Sequence, residues 1–95
     1  MKRMTATQVS LIAVPDAAIS TLSGLYDVLN CFDMLAGMDD SIPRPAPFAV
    51  RIVGERRGPL MLASGMPIEV RTGIAEVTAT DVVIVPSVVV GEGGW

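Results

Sequence analysis

Two short, almost uninterrupted apolar runs constrain the fold of this chain more than any other feature. The first, "VSLIAV" at residues 9–14, ends at Pro15, and the second, "VVIV" at residues 82–85, ends at Pro86. A strand with one face in water alternates apolar and polar residues, whereas a strand covered on both faces reads as a continuous apolar run. Both runs therefore predict buried strands of a parallel sheet.

Between these runs, apolar residues recur at helical spacing over residues 19–37, which predicts one long helix. Ser20 or Thr21 is expected to cap its start, because short hydroxyl side chains satisfy the first free N–H groups. Gly37 suits a left-handed residue just past the end. Gly24 inside the helix suggests close approach of its backbone to the sheet.

The remaining segments predict one further strand and a small hairpin. Residues 48–54 are predicted as a strand, with Arg51 near its edge or end, and residues 59–70 as two extended pieces around Ser64 and Gly65. Residues 38–47 are predicted as a proline-rich connection and residues 55–58 as a turn. Residues 71–80 are compatible with either a loop or one helical turn. The order strand, helix, strand, hairpin, strand predicts an α/β fold whose sheet is left half bare on one face.

The composition agrees with an incompletely covered fold. Hydrophobic residues make up 51% of the 95 residues and charged residues only 18%, which is too apolar for a disordered segment. A domain of this size normally needs more polar cover. We therefore expect exposed apolar surface that a partner or another segment covers, through homo-oligomerisation or association with the second half of a larger domain.

Charge and residue usage narrow the possible chemistry. The formal net charge of −3, with no basic run longer than Arg56 and Arg57, argues against direct contact with nucleic acid. The sequence has no histidine, so no Ser-His-Asp or Cys-His site can be completed within it, and we expect neither a metal nor a cofactor. A single cysteine and no apolar stretch near the ~20 residues of a membrane span indicate a cytoplasmic protein without a membrane partner.

A binding site is expected beyond the carboxyl ends of the strands, where ligands lie in open α/β sheets. Asp16, Ser20 and Thr21 follow the first strand, and Ser87 follows the last one. We therefore predict that these four residues border a pocket for a small-molecule effector. Simpler roles stay open, because Ser20 and Thr21 are also good helix caps and Asp16 is also a common turn residue.

Three other features have weaker functional interpretations. Asp27, in the middle of the helix, is expected to support the pocket from behind, although a solvated carboxylate is the simpler interpretation. Cys31 is more often a small buried apolar residue than a reactive thiol. The glycine cluster at residues 91–94 lacks the spacing of a dinucleotide fingerprint and is interpreted as a flexible connection.

Four segments resemble, in their order and spacing, the first half of a ThiJ/PfpI-type domain, a class I glutamine amidotransferase-like fold. They are "LIAVPDAAISTLSGLYDVLN", "FAVRIVGE", "ASGMPIEV" and "DVVIVPS". More specifically, these segments resemble the N-terminal domain of GlxA-type regulators of the AraC family. Pro15 falls on the family proline, Gly24 on the helix glycine and Asp27 on the acidic position. Residues 63–65 match the family's Ser-Ser-Gly before a strand, and residues 81–87 match its Asp-x-Leu-x-Val-Pro-Gly-Gly strand.

Two departures from the enzymatic branch bear on catalysis. Where such enzymes carry an acid three residues before the helix glycine, this chain has Thr21. Where they carry a Gly-Gly pair whose N–H groups stabilise an oxyanion, it has Ser87 and Val88. The resemblance places the family's nucleophilic cysteine beyond Trp95. It thus implies that residues 1–95 are the N-terminal part of a single domain without catalytic residues and without a DNA-binding module.

The resemblance implies a flavodoxin-like, doubly wound and mostly parallel sheet with helices on both faces. The implied function is a non-catalytic ligand-sensing or dimerisation domain of an AraC-type transcriptional regulator. Two alternatives remain. One is an enzyme of the same superfamily, such as an isonitrile hydratase-like protein with a downstream cysteine, which rests on fold analogy alone. The other is an interaction module whose exposed sheet edge pairs with itself or a partner.

Overall fold

A computed structural model describes residues 6–89 of the chain. Its elements are β1 (Thr7–Ile12), α1 (Ile19–Leu29), α2 (Phe32–Ala36), β2 (Phe48–Gly54), β3 (Gly58–Met61), β4 (Pro67–Val70), β5 (Thr72–Gly73), a single 3-10 turn (Ile74–Glu76) and β6 (Val82–Ile84). No helix within this range is long and apolar enough to cross a membrane.

Four strands form one sheet in the order β5-β2-β1-β6, and every pairing in it is parallel. Val9 of β1 lies opposite Val50 of β2 on one side and opposite Val82 of β6 on the other. The β3–β4 hairpin forms a separate antiparallel pair, with Gly58 opposite Val70. The predicted α/β character with a mostly parallel sheet is therefore confirmed.

The buried core lies where β1, the start of α1 and the hairpin meet. Its fully buried members are Val9, Leu11, Ala13, Ala17, Leu22, Leu62 and Val70. Leu11 and Ala17 have no exposed surface at all. Burial of a Leu or Val side chain contributes about 1.5–3 kcal/mol, so this cluster is the main source of stability. It also fixes the segment that follows β1 beneath the hairpin.

The single long helix predicted over residues 19–37 is wrong, because the structure breaks it in two. Asn30 ends α1 with φ −102° and ψ 6°, and its side-chain amide donates to the Tyr26 carbonyl oxygen at 2.9 Å. Asparagine competes in this way for backbone groups and so favours helix ends over helix interiors. The apolar spacing continues across the break, which is why the sequence pattern gave no sign of it.

The predicted roles of the helix termini and glycines are also wrong. Ala18 is the N-cap and makes no side-chain cap bond, so Ser20 and Thr21 lie inside the first turn. Gly37 has φ −71°, an ordinary right-handed conformation. Gly24 is exposed, and a Cβ atom built on it would meet nothing within 4 Å. Its backbone therefore does not approach the sheet.

The last apolar run does form a strand, but within residues 6–89 it lies at the edge of the sheet and is not buried. Val82, Val83 and Val85 are 39%, 56% and 63% exposed. β6 pairs only with β1 in the described part of the chain. The prediction that this run is a buried strand is therefore not met within these residues.

The second strand and the hairpin confirm the sequence-based expectations closely. β2 has the predicted bounds, and the hairpin turn holds Gly65 at φ +88°, a conformation that favours glycine. Arg51 lies in the middle of β2, opposite Ser10, and not at the end of the strand. Residues 71–80, for which either a loop or one helical turn was predicted, contain the short β5 followed by the 3-10 turn.

Candidate ligand-binding site

The carboxyl ends of β1 and β6 are joined by backbone hydrogen bonds. Ala17 and Val88 form an isolated antiparallel bridge. The Ala18 N–H donates to the Ser87 carbonyl oxygen at 2.9 Å, and the Val89 N–H donates to the Asp16 carbonyl oxygen at 2.7 Å. Two of the predicted ligand-binding residues, Asp16 and Ser87, thus lie on facing segments, and both residues are exposed.

A third segment reaches the same place from the hairpin. The Ala63 N–H donates to the Ala17 carbonyl oxygen at 3.2 Å. A shallow depression of about 360 Å³ lies beside this contact, lined by Ala18, Ile19, Ser20, Ala63, Ser64 and Val89. Two of its lining residues, Ser20 and Ser64, carry hydroxyl groups among apolar neighbours. The depression has the mixed lining of a small-molecule site, and Ser64 was not among the predicted site residues.

The Thr21 side chain makes a hydrogen bond at the start of its own helix. Its Oγ1 donates to the Ala18 carbonyl oxygen at 3.1 Å, and the side chain is half-buried. It does not line the depression next to Ser20. Back-bonding of this kind occupies the hydroxyl proton within the helix, so Thr21 acts here as part of the first turn of α1.

Asp27 lies on a different surface. Together with Tyr26, Val28, Asn30, Cys31 and Met34 it lines an open depression of about 530 Å³ at the junction of α1 and α2. Asp27 is exposed, and Cys31 is half-buried with a free thiol. The structure therefore does not bring Asp27 together with Ser20. Within residues 6–89, no group of three or more Cys, Asp or Glu side chains is arranged to hold a metal ion.

A further crevice lies on the other side of β1, where its carboxyl end meets that of β2. It measures about 440 Å³ and is lined by Ala13, Val14, Pro15, Gly54, Glu55, Arg56, Arg57, Gly58, Pro59, Leu60 and Val70. Sequence reasoning missed this crevice because it considered only the ends of the first and last strands. The available signal was the Glu-Arg-Arg turn directly after the strand end at Gly54.

Two close backbone contacts shape this crevice. A Cβ atom on Gly54 would lie 2.9 Å from Cγ1 of Val70, and one on Gly73 would lie 3.1 Å from Cα of Arg56. Real Cβ atoms essentially never approach as closely as the first distance, and the second is tighter than most real Cβ contacts. Glycine at these positions therefore lets the hairpin and β5 pack against the end of β2.

An ion pair fixes one side of the turn. Arg57 Nε donates to Glu76 Oε1 at 2.7 Å, and its terminal nitrogen bonds the other carboxylate oxygen. The Gly73 N–H also donates to Glu76 Oε1, at 2.8 Å. The hydrogen bond from Arg57, followed by that from Gly73, lowers the pKa of Glu76 to about 2. The hydrogen bond to Glu76 in turn raises the pKa of Arg57. Both groups stay charged near neutral pH.

The glycine cluster at residues 91–94 and Trp95 lie outside the described residues. In comparisons with known proteins, neither a protein-family model nor a curated protein matches this chain.

Proposed function

We propose that this chain belongs to a ThiJ/PfpI-like, flavodoxin-like domain that senses a small effector or mediates dimerisation in an AraC-type transcriptional regulator. The domain is non-catalytic in this proposal, and its effector binds where β1 and β6 end. The proposal starts from the resemblance of the sequence to GlxA-type regulators.

The strand order is the observation that carries the proposal. Counted along the chain, the three principal parallel strands β1, β2 and β6 are arranged as second, first and third. This arrangement begins the flavodoxin-like order, in which the ligand lies where the strand order reverses. That switch point is the junction of β1 and β6, where the Ala17–Val88 bridge joins the segment of Asp16 to the segment of Ser87. The position of Asp16 and Ser87 on the two segments at this junction supports the proposed effector site.

The contacts of two substituted positions support a role without catalysis. Thr21 stands where the resembling enzymes carry an acid, and its hydroxyl proton is bonded to the Ala18 carbonyl oxygen. Ser87 and Val88 stand where those enzymes carry the Gly-Gly pair. Here this segment is paired with residues 16–18 through two backbone hydrogen bonds. Binding needs only the walls and hydroxyls of the depression, whereas turnover needs an acid or nucleophile at these places.

Exposed apolar side chains support the dimerisation part of the proposal. One group lies at the β6 edge and comprises Val82, Val83 and Val85. The other lies around the junction of α1 and α2 and comprises Tyr26, Val28, Met34 and Met38. Apolar patches of this kind mark interaction surfaces in small proteins. An unpaired edge strand also offers free backbone groups to a second chain.

The proposal is tested by fusing the chain to a DNA-binding domain that represses a reporter gene only as a dimer. Repression is expected, and its strength should change when the host is grown on different carbon and nitrogen sources that supply the effector. Ser20→Trp fills the depression at an exposed position and should abolish the growth-dependent change while leaving repression intact. Ser23→Trp, also exposed on α1 but outside the depression, is the matched control.

Absence of repression, together with sedimentation of the chain as a monomer, would rule out dimerisation. A growth-dependent response that survives Ser20→Trp would rule out the depression as the effector site. Hydrolytic or hydratase activity in the purified chain would contradict the non-catalytic role.

A further inference from the structure

We propose that the crevice between the carboxyl ends of β1 and β2 is a second ligand site, which binds a small monocarboxylate with an apolar body through Arg56. This site lies on the opposite side of β1 from the proposed effector site. It does not depend on the proposed regulatory function, because it rests on the crevice alone.

The position and lining of the crevice favour a ligand. It opens beyond the carboxyl ends of two neighbouring parallel strands, where loops leave room next to the sheet. Its volume of about 440 Å³ lies within the range of small-molecule sites. Ala13 and Val70 are each 2% exposed, and Leu60 and Val14 are half-buried, so the inner wall is apolar and belongs to the core.

The turn that carries the arginines is held in place from two sides. The Gly73 backbone lies against the Arg56 Cα, and Glu76 binds the Arg57 guanidinium through two hydrogen bonds. Neither contact uses the side chain of Arg56. Among residues 6–89, no side-chain hydrogen bond or ion pair engages the Arg56 guanidinium, and Arg56 lines the crevice. The backbone of the turn is thus positioned, and the Arg56 guanidinium remains available to bind a carboxylate.

The charges around the crevice select a monoanion. Arg57 is neutralised by Glu76, so Arg56 is the remaining positive charge of the turn, and the Glu55 carboxylate lines the same crevice. Glu55 repels a phosphate or another polyanion more strongly than it repels a carboxylate, which carries a single charge and needs only one guanidinium. The apolar wall then accounts for the remainder of the ligand. A short branched carboxylic acid combines both properties.

The test is a titration of the complete ¹⁵N-labelled chain, followed by amide chemical shifts, with isovalerate as the probe. Isovalerate is expected to shift the amides of Ala13, Val14 and residues 54–58. Isovaleramide has the same apolar body without the charge, and inorganic phosphate is an anion without the apolar body. Both should bind at least about tenfold more weakly, which corresponds to a difference of ~1.4 kcal/mol.

A pair of variants assigns the charge. Arg56→Gln should weaken isovalerate binding at least about tenfold. Arg71→Gln removes another exposed arginine that lines a different depression, and it should leave binding unchanged. Amide spectra of the two variants without ligand check that each is folded.

Several results would overturn the proposal. Absence of shifts with isovalerate, or shifts confined to the depression around Tyr26 and Met34, would remove the site. Equal binding of isovaleramide would show an apolar crevice without carboxylate recognition, and equal binding of phosphate would show a general anion site. An equal effect of Arg56→Gln and Arg71→Gln would show nonspecific attraction to positive charge. None of these results bears on repression by the dimer-dependent fusion, so the two proposals fail separately.

Discussion

Arg51 Nε donates a hydrogen bond to Ser10 Oγ at 3.2 Å, from the middle of β2 to the neighbouring residue of β1. Ser10 is 2% exposed, and its Oγ also lies 2.9 Å from Thr80 Oγ1, just before β6. The other end of the Arg51 guanidinium bonds the Ala79 carbonyl oxygen. One buried hydroxyl therefore connects three segments that are far apart in sequence.

We expect Ser10→Ala to destabilise the fold by about 1–2 kcal/mol, because it removes a buried hydrogen-bonding centre. The loss is limited because Thr80 Oγ1 still bonds the Gln8 and Val82 carbonyl oxygens. Urea denaturation measures the change, and hydrogen exchange should show the largest increase in β6. Ser64→Ala, at the exposed hairpin turn, is the control and should change the free energy of unfolding little. Equal effects of the two substitutions would contradict a structural role for Ser10.

The pair formed by Glu76 and Arg57 predicts a loss of stability in acid. Glu76 has a pKa of about 2 in the folded chain, below its ordinary value of 4.5. A folded-state pKa below the unfolded one stabilises the fold above the unfolded value, and this contribution is lost as the pH falls from about 4.5 toward 2. Glu76→Gln should remove this part of the pH dependence of Tm.

A carboxyl-detected NMR titration measures the Glu76 pKa directly. Glu69 is an exposed carboxylate that makes no side-chain hydrogen bond within residues 6–89, so Glu69→Gln is the matched control. It should leave the acid limb of the Tm profile unchanged. A Glu76 pKa near 4.5 would show that the contacts with Arg57 and Gly73 are not maintained in solution.

The sequence predicted the elements whose signals are local. β1 and β2 follow from continuous or partly alternating apolar residues, and the hairpin follows from Ser64 and Gly65 between two short extended pieces. The approach of the segments that carry Asp16 and Ser87 was also predictable, because both follow strands of one parallel sheet. Each of these inferences needs only neighbouring residues or a general property of parallel sheets.

The features that sequence reasoning missed depend on contacts between distant segments. An apolar run predicts a strand at residues 82–85 but does not say whether that strand lies at the centre or the edge of the sheet. The helix break at Asn30 occurs within unbroken apolar spacing. The packing beside the crevice near Arg56 depends on Gly54 and Gly73, which leave room for Val70 and for the turn, and nothing local to either glycine indicates this.

Two glycines should respond in opposite ways to a Cβ atom. At Gly24, exposed within α1 with nothing within 4 Å of the added atom, alanine should stabilise the fold by about 1 kcal/mol through its higher helix propensity. At Gly54, the added atom would lie 2.9 Å from the buried and stiff Val70 side chain. Gly54→Ala should therefore destabilise by about 1–3 kcal/mol. Denaturant midpoints of the two variants measure both changes, and a destabilising Gly24→Ala would mean that another surface packs on α1.

The exposed edge of β6 predicts how the chain associates. Val83 is 56% exposed on a strand that pairs only with β1 in the described part of the chain. If a second copy adds to this edge, Val83→Lys should weaken association, because lysine on an edge strand opposes pairing. Val28 is similarly exposed, at 66%, but it belongs to the other exposed apolar surface, on α1, so Val28→Lys tests whether that surface is the interface instead.

Sedimentation velocity over a wide range of concentrations measures the association. The unmodified chain and Val28→Lys should both show sedimentation coefficients that rise with concentration, whereas those of Val83→Lys should rise less. A larger effect of Val28→Lys would move the interface to the depression at the junction of α1 and α2. A chain that sediments as a monomer at every concentration would show that the β6 edge does not recruit a second copy, and that its apolar side chains remain in water or are covered by a different partner.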